Sequence, residues 1–290
     1  MSSATGGLVM LTEMLQTLPP SERKIASYII NNPREAISLT AMELGKRSST
    51  SGAAVIRLCK SLDLKGLQDL KLRVAGDLQK TTDHGFRDIE PNESLLSIID
   101  KMTNNSIRTI RETAEMLYIE EVEKAIQLIR AAKTVHFIGV GASNIIAQDA
   151  QQKFLRIDKP CYAFPDMHIA TTLVANADKD DVVIAISFSG ETLEVARVLE
   201  LAKNKGVHTI SLTRYGSLKV PKYADIKLYT SATREPTFRS GATSSRIGQL
   251  QVIDILFMGV ASLQYDDTVK HLDATRDAVN FLTHGTHTNK

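Results

Sequence analysis

This chain is poor in cysteine and has no excess of either charge. It holds two cysteines in 290 residues, Cys59 and Cys161, far apart and in apolar surroundings. Neither belongs to a zinc or redox spacing, so both are expected as buried thiols in a reducing compartment. Met1-Ser2-Ser3-Ala4-Thr5-Gly6-Gly7 lacks the basic segment of a signal peptide. No apolar run approaches the ~20 residues of a membrane span. Internal repeats and low-complexity segments are also missing. A soluble, cytoplasmic chain is expected, with no membrane partner. The net charge of +2 excludes a strongly polyanionic or polycationic protein. It is unevenly spread: residues 1–80 carry 11 Lys and Arg against 7 Asp and Glu, and the remainder 24 against 26. A basic first part on a near-neutral body points to a polyanion partner for the first part only.

What is present suits packed cores: 43% of residues are hydrophobic and 23% charged, over a length that allows one large or two ordinary domains. The first 80 residues read as helices. Pro19-Pro20-Ser21-Glu22 opens one, with Ile25, Ala26, Tyr28, Ile29 and Ile30 as its apolar face, and Asn31-Asn32-Pro33 ends it. Thr40-Ala41-Met42-Glu43 is a capping box. Its helix is cut short by Gly45 and by Ser48-Ser49-Thr50-Ser51-Gly52. Ala53 to Leu62 is the next helix, with Val55, Ile56, Leu58, Cys59 and Leu62 on its buried side. A capped short helix, a tight serine-rich turn and a second helix with a small, polar or basic outer face make a helix-turn-helix. Ser49, Ser51, Ala53, Ala54 and Arg57 would lie nearest base edges, and Lys46, Arg47 and Lys60 nearer phosphates. Packing alone would explain the same pattern. Leu67 to Leu78 is a further helix, Thr81 to Asn92 a polar linker, Glu93 to Leu117 a long helix and Ile119 to Ala132 another.

From Val135 the character changes. Val135 to Val140, Cys161 to Phe164, Val182 to Ser187, His208 to Leu212 and Ile226 to Tyr229 read as short strands, mostly separated by helices. Such alternation predicts a five-stranded parallel sheet with helices on both faces. The third strand runs into Ser187-Phe188-Ser189-Gly190-Glu191-Thr192, where a helix begins. Free N–H groups, the positive end of the helix dipole, rotatable hydroxyls and a close-approach glycine form a phosphate cradle. The cradle has no Lys or Arg, so it would hold a small phosphorylated ligand by hydrogen bonds. After the first strand stands Gly139-Val140-Gly141-Ala142-Ser143-Asn144. A dinucleotide fingerprint would need a third glycine where Asn144 is, and an acidic residue after the second strand, so no nicotinamide cofactor is expected. Ser143 offers a hydroxyl at a second helix start. Ligands in open parallel sheets sit at the carboxyl ends of adjacent strands, where the two loops would converge. A simple cap on its helix would also explain Ser143.

Ser240-Gly241-Ala242-Thr243-Ser244-Ser245-Arg246 precedes a last long helix, residues 243 to 260, and Arg246 and Gln249 lie one turn apart on it. They would reach a sugar, a carboxylate or another subunit, or Ser244 would simply cap the helix. His136 and His208 read as packed or edge residues, and only His168 lies near a ligand loop, so no metal site is supported. Sugar-phosphate chemistry needs a general base, usually a glutamate. The last helix has only Asp254, Glu191 sits in the phosphate loop, Glu194 faces outward, and Asp166 is the remaining candidate.

These pieces together resemble the RpiR-type bacterial transcription regulators, which join an N-terminal helix-turn-helix to a C-terminal sugar isomerase (SIS) domain. The likeness rests on Pro20-Ser21-Glu22-Arg23-Lys24, Ser51 to Lys60, Leu64-Lys65-Gly66-Leu67, Gly139 to Ser143 and Asp181 to Thr192. It implies an all-helical DNA-binding domain at 1–80, a linker and connecting helix at 81–118, a flavodoxin-like three-layer SIS domain at 119–281 and a polar tail at 282–290. It implies that Ser143 and Ser187 bind a phosphorylated effector, joined by Gly141, Ser189, Gly190 and Thr192, with Ser244 and Arg246 added from the third motif. Where the family's recognition helix usually starts Ser-Glu-Ala-Thr/Ser, this one has Ser51-Gly52-Ala53-Ala54, which implies a changed DNA preference. The chain looks most similar to regulators responding to N-acetylmuramic acid 6-phosphate. The reading is a DNA-binding regulator with no cofactor, a homodimer or homotetramer on a palindromic operator. Repression is the expected sense, although the sequence leaves the sign open. Ligand binding would draw the serine loops together, and the Glu93 to Leu117 helix would carry the change. The alternative is a SIS-fold sugar-phosphate isomerase or etherase.

Overall fold

The computed structural model describes residues 6–78, 92–216, 218–231 and 242–284. They form two compact units. The first contains the chain up to Leu117 with Arg214–Ser217 and Tyr229–Gly248. The second contains Tyr118–Thr213, Leu218–Leu228 and the chain from Gln249 on.

The first unit is helical: α1 (Gly7–Met14), α2 (Pro20–Asn31), α3 (Pro33–Ala36), α4 (Ala41–Arg47), α5 (Gly52–Ser61), α6 (Leu67–Leu78) and α7 (Leu95–Met116). α1 has no counterpart in the sequence reading, because Gly6 before it has no side chain to cap with. The Asp77 carboxylate near the end of α6 does so instead, accepting from the N–H groups of Gly6 at 2.7 Å and Leu8 at 2.8 Å. Pro33 follows the end of α2, as its missing N–H and fixed φ require, but also starts α3. The capping box forms as read: Glu43 N–H donates to Thr40 Oγ1 at 3.3 Å, and Thr40 N–H to Glu43 Oε2 at 2.8 Å. Hydrogen bonds from Thr40 hold the Glu43 carboxyl below the ordinary carboxylate range.

Between α4 and α5, Ser49 takes a left-handed backbone (φ 53°) and Thr50 N–H donates to the Gly45 carbonyl at 2.7 Å. A Cβ on Gly45 would stand 2.5 Å from the carbonyl carbon of Ser51 and 2.7 Å from the nitrogen of Gly52. The absence of a side chain there is what lets the two helices meet so closely. Met10, Leu11, Ile25, Leu44, Leu58 and Leu62 lead the core, which Tyr215 and Tyr229 also join. The Tyr215 hydroxyl donates to the Leu62 carbonyl just past α5.

Two sequence assignments on α5 are corrected. Ala54, expected near base edges, is 1% exposed, and Ile56, expected in the core, is 43% exposed. Each helical residue turns the side chain by about 100°, so a core stripe through Ala54, Val55, Leu58 and Cys59 puts Ile56 on the opposite side. In α7 the buried residues include Asn105, Thr109, Glu112 and Thr113, while Leu95, Leu96, Ile99 and Met102 are exposed. Ser231 ties to this polar stripe, its N–H donating to Thr113 Oγ1 at 3.2 Å and its hydroxyl to Glu112 Oε2 at 2.7 Å.

From Tyr118 on, the chain alternates as the sequence predicts: α8 (Ile119–Ala131), β1 (Val135–Gly139), α9 (Ala142–Leu155), β2 (Cys161–Tyr162), α10 (Met167–Asn176), β3 (Val182–Ile186), α11 (Leu193–Asn204), β4 (His208–Arg214), β5 (Ile226–Thr230) and α12 (Ser244–Leu263). A further helix, α13 (Tyr265–His284), was not read from the sequence and runs into the expected polar tail. The parallel sheet has the order β2-β1-β3-β4-β5. β1 and β3 are buried along their whole length, as parallel strands covered on both faces must be. On one face Ile138, Val183 and Ala185 pack with Val174 of α10 and Leu199 of α11. On the other Phe137 meets Phe154 of α9, which meets Phe257 of α12 edge-on at 5.7 Å. This is a three-layer αβα sandwich.

One correction concerns α12. Among the described residues it is the one helix long and apolar enough, by length and composition, to cross a membrane: 20 residues, with a mean hydropathy of 1.3 over its most apolar 18. Val252, Ile253, Leu256 and Val260 are buried in the protein, and Arg246, Gln249, Gln251 and Asp254 interrupt the apolar run. Its buried side and the Phe257–Phe154 contact are those of a helix packed on a sheet.

Gly45→Ala tests the close approach in the first unit. The added methyl meets backbone rather than a movable side chain, so a loss of about 1–3 kcal/mol is expected in urea unfolding. An unchanged midpoint would show that α4 and α5 are not held that tightly.

Candidate functional site

The sheet order decides where a ligand loop pair can form. β1 leads through α9 to β2 on one side, and β3 leads through α11 to β4 on the other. The point where the strand order reverses therefore lies between β1 and β3, the usual ligand position in an open α/β sheet. These strands are parallel neighbours in the register Gly139↔Ile186. The loops carrying Ser143 and Ser187 thus leave the same sheet end from paired residues, with adjacent strands about 4.8 Å apart.

After β1 the chain turns within three residues. Gly139 permits this, since a Cβ there would stand 2.6 Å from the Ser143 carbonyl oxygen. Gly141, at φ 59°, stands at the start of α9 and offers no side-chain cap. Ser143 does not cap the helix either. Its hydroxyl faces Gln249 of α12, which is 1% exposed, with Gln249 Nε2 donating to Ser143 Oγ at 3.3 Å.

After β3, Ser187 N–H donates to the Leu212 carbonyl at 3.0 Å, and Gly190 N–H to the Ser187 carbonyl at 2.9 Å. The hydroxyls of Ser187 and Thr192 are 3.0 Å apart, and Ser189 Oγ accepts from Glu191 N–H at 3.2 Å. Gly190 has φ 67°, and a Cβ on it would meet the Leu218 side chain at 2.4 Å. No side chain caps α11 at Thr192. The loop is a tight turn of hydroxyls around a helix start whose first N–H groups have no intrahelical partner. Such a set can bind an oxyanion by hydrogen bonds and the helix dipole.

The third motif behaves differently. Ser240 and Gly241 lie outside the described residues. Ser244 is buried, and Arg246 is exposed, its Nε donating to the Ala242 carbonyl. Both group with the first unit rather than with the serine loops. Gln249, read as a companion of Arg246, is instead buried against Ser143. The candidate bases also have structural partners. Asp166 caps α10, accepting from His168 N–H at 2.7 Å. Asp254 pairs with Lys153 at 2.7 Å and Glu191 with Lys219 at 3.0 Å. His136 is packed inside the sheet, where burial lowers its pKa despite Asp181 at 3.9 Å. Among the described residues no three His, Cys, Asp or Glu gather as metal ligands.

In the first unit, Ala53, Ile56, Arg57 and Lys60 are the exposed stripe of α5, with Lys46, Arg47, Ser49 and Ser51 exposed beside it. Arg47 is paired with Glu35 at 3.1 Å on the surface. Glu22 of α2, only 4% exposed, accepts from Ser61 Oγ at 2.7 Å and stands 3.9 Å from Arg57 Nε. This buried carboxylate holds α5 in rotation about its axis. Sequence reading named Glu22 as a helix-start residue and within the Pro20 to Lys24 motif but not these contacts, because its partners are 35 and 39 positions away.

Residues 5–81 match the helix-turn-helix domain of the rpiR family, and residues 128–259 match the SIS domain. An uncharacterized HTH-type transcriptional regulator of Bacillus subtilis (strain 168), YbbH, is 53% identical over 279 residues, covering 96% of this chain and 99% of the relative. The chain belongs to the rpiR family of helix-turn-helix transcriptional regulators. A second such regulator, TTE0211 of Caldanaerobacter subterraneus subsp. tengcongensis, is 41% identical over 95% of this chain and 98% of its own length. Among solved structures, the Vibrio vulnificus NanR protein complexed with ManNAc-6P aligns with a TM-score of 0.60 and 25% identity, over 95% of this chain and 98% of that one. In this rpiR-family chain, then, a helix-turn-helix transcriptional regulator carries a SIS sugar-binding domain.

The Ser143–Gln249 contact is testable. Gln249→Leu and Ser143→Ala should each cost about 1–2 kcal/mol in urea unfolding, the range for breaking a buried hydrogen bond. The double variant should lose less than the sum, since both changes remove the same bond. Fully additive losses would show that the pair does not interact.

Proposed function

We propose that this protein is a DNA-binding transcriptional regulator that works in the cytoplasm and senses a phosphorylated amino sugar, N-acetylmuramic acid 6-phosphate, through its SIS domain. The observation that carries the effector class is the pair of serine loops on register-paired neighbours β1 and β3, each opening an uncapped helix. The phosphoryl group is assigned to Ser187, Ser189, Thr192 and the backbone around Gly190, and the Ser143 and Gly141 loop completes the grip. Without Lys or Arg in these loops, binding relies on directed hydrogen bonds and two helix dipoles. The ManNAc-6P held by NanR supports a phosphorylated N-acetylated sugar as the class of effector.

The sensing role is favoured over isomerase or etherase chemistry by the state of the carboxylates. Asp166, Asp254 and Glu191 are engaged as a cap or in ion pairs, which leaves no poised general base among them. The names of the nearly full-length relatives point the same way. Arg57 and Lys60 are assigned to DNA, with Lys46 and Arg47 toward phosphates. Two copies are proposed to read two half-sites ~34–36 Å apart. Regulation requires that effector affinity differ between the DNA-bound and free states.

Thermal-shift screening of the purified chain against N-acetylmuramic acid 6-phosphate, N-acetylglucosamine 6-phosphate, glucosamine 6-phosphate and ribose 5-phosphate tests the effector. Stabilisation by the first, recovered unchanged, is expected, and conversion of the compound would make the protein an enzyme. Ser187→Ala should reduce that stabilisation while operator binding stays intact. Arg57→Ala should abolish operator binding and spare the ligand response. Loss of both activities in either variant would contradict this division of roles.

A further inference from the structure

Ile56 has no role in the readings so far, and its position is informative. It is β-branched, apolar and 43% exposed at the middle of α5. Along the outward stripe Ala53 lies three positions before it and Lys60 four positions after it, and Arg57 is the next residue. Toward the helix start the face is made of Gly52 and Ala53, which have too little side chain to shield it. Toward the helix end it is flanked by two cations. The core-facing side of α5 is made by Ala54, Val55, Leu58 and Cys59 without it.

The rotation that brings Ile56 outward is held from two directions. Buried Glu22 fixes the far half of α5 through Ser61 and Arg57. The close contact of Gly45 with Ser51 and Gly52 fixes the near end. Ile56 is therefore presented at one defined angle. A small apolar spot with two cations on one side suits a surface that is anionic along its edge and carries an apolar group within. The DNA major groove is such a surface, with phosphates along its edges and the thymine 5-methyl as the apolar group on its floor.

Resting on the DNA-binding reading above, we propose that Ile56 is a specificity-determining residue. It reads a thymine by packing on the 5-methyl group, with Arg57 beside it on the same face. This deepens that reading by naming a base feature in the half-site.

The experiment uses the full chain and a duplex selected by it from a random library. Each thymine of the selected site is replaced in turn by uracil, which lacks only the 5-methyl. Wild-type affinity should fall about fourfold at one thymine per half-site, the factor for withdrawing one buried methyl group. Ile56→Ala should bind the all-thymine site roughly tenfold more weakly and lose its sensitivity to uracil at that position, while Ile56→Val should keep it. The proposal is overturned if wild type tolerates uracil everywhere, or if Ile56→Ala shows the same uracil penalty. Failure to select any duplex would overturn the DNA-binding reading as well. The uracil scan rests on the wild-type chain, so the folding of a variant does not decide it.

Discussion

The pairing of β1 with β3 is the constraint on which the ligand-binding half depends. Parallel strands cannot join through a tight hairpin, so each must be followed by a crossover. Here successive crossovers go to opposite sides of the β1–β3 pair, and the order β2-β1-β3-β4-β5 results. Two helix starts are thereby delivered to one end of the sheet from adjacent strands. The register Gly139↔Ile186 leaves little freedom in how far each loop reaches. Glycine then decides the shape of each loop: Gly139 lets the Ser143 backbone close over the end of β1, and Gly190 lets the chain turn under Leu218. A side chain at either place would push the serine-bearing segment outward.

The helical unit works by a similar economy of space. α4 and α5 meet where Gly45 has no Cβ, and a buried carboxylate from α2 grips the other end of α5. Burying Glu22 is costly unless its oxygens are satisfied, and the Ser61 hydroxyl and the nearby Arg57 guanidinium supply that. One side chain thus links helix packing to the placement of a cation on the outer face. Surface pairs such as Arg47–Glu35 contribute much less, because solvent screens them.

Much of this was legible in the residues. The capping box Thr40–Glu43, the serine-rich turn and the apolar runs of β1 and β3 carry their conformations locally, and they form as read. The serine-glycine loop after β3 was recognisable because strand, turn and helix start are contiguous. Other features were not. Ile56 looks like a core residue by composition, and Ala54 looks like part of an open face, yet they exchange places. The rotation of a ten-residue helix is set by what it packs on. α1 depends on a cap from Asp77, near the end of α6, so nothing in its own flank announced it. Gln249 read as the companion of Arg246, whereas its amide is taken up by Ser143, 106 positions earlier.

By itself the sequence determined most of the element types, the alternation that makes a parallel sheet, and the run of hydroxyls and glycine in the loops after β1 and β3. These follow from short-range rules: side-chain periodicity, backbone preference and hydroxyls at helix starts. Only the tertiary structure decided which face of α5 looks outward, which carboxylates are held as caps and ion pairs, and what the Ser143 hydroxyl touches. Apart from the Asp166 cap, which is local, those outcomes depend on partners tens of residues away, brought together when the chain buries its apolar surface.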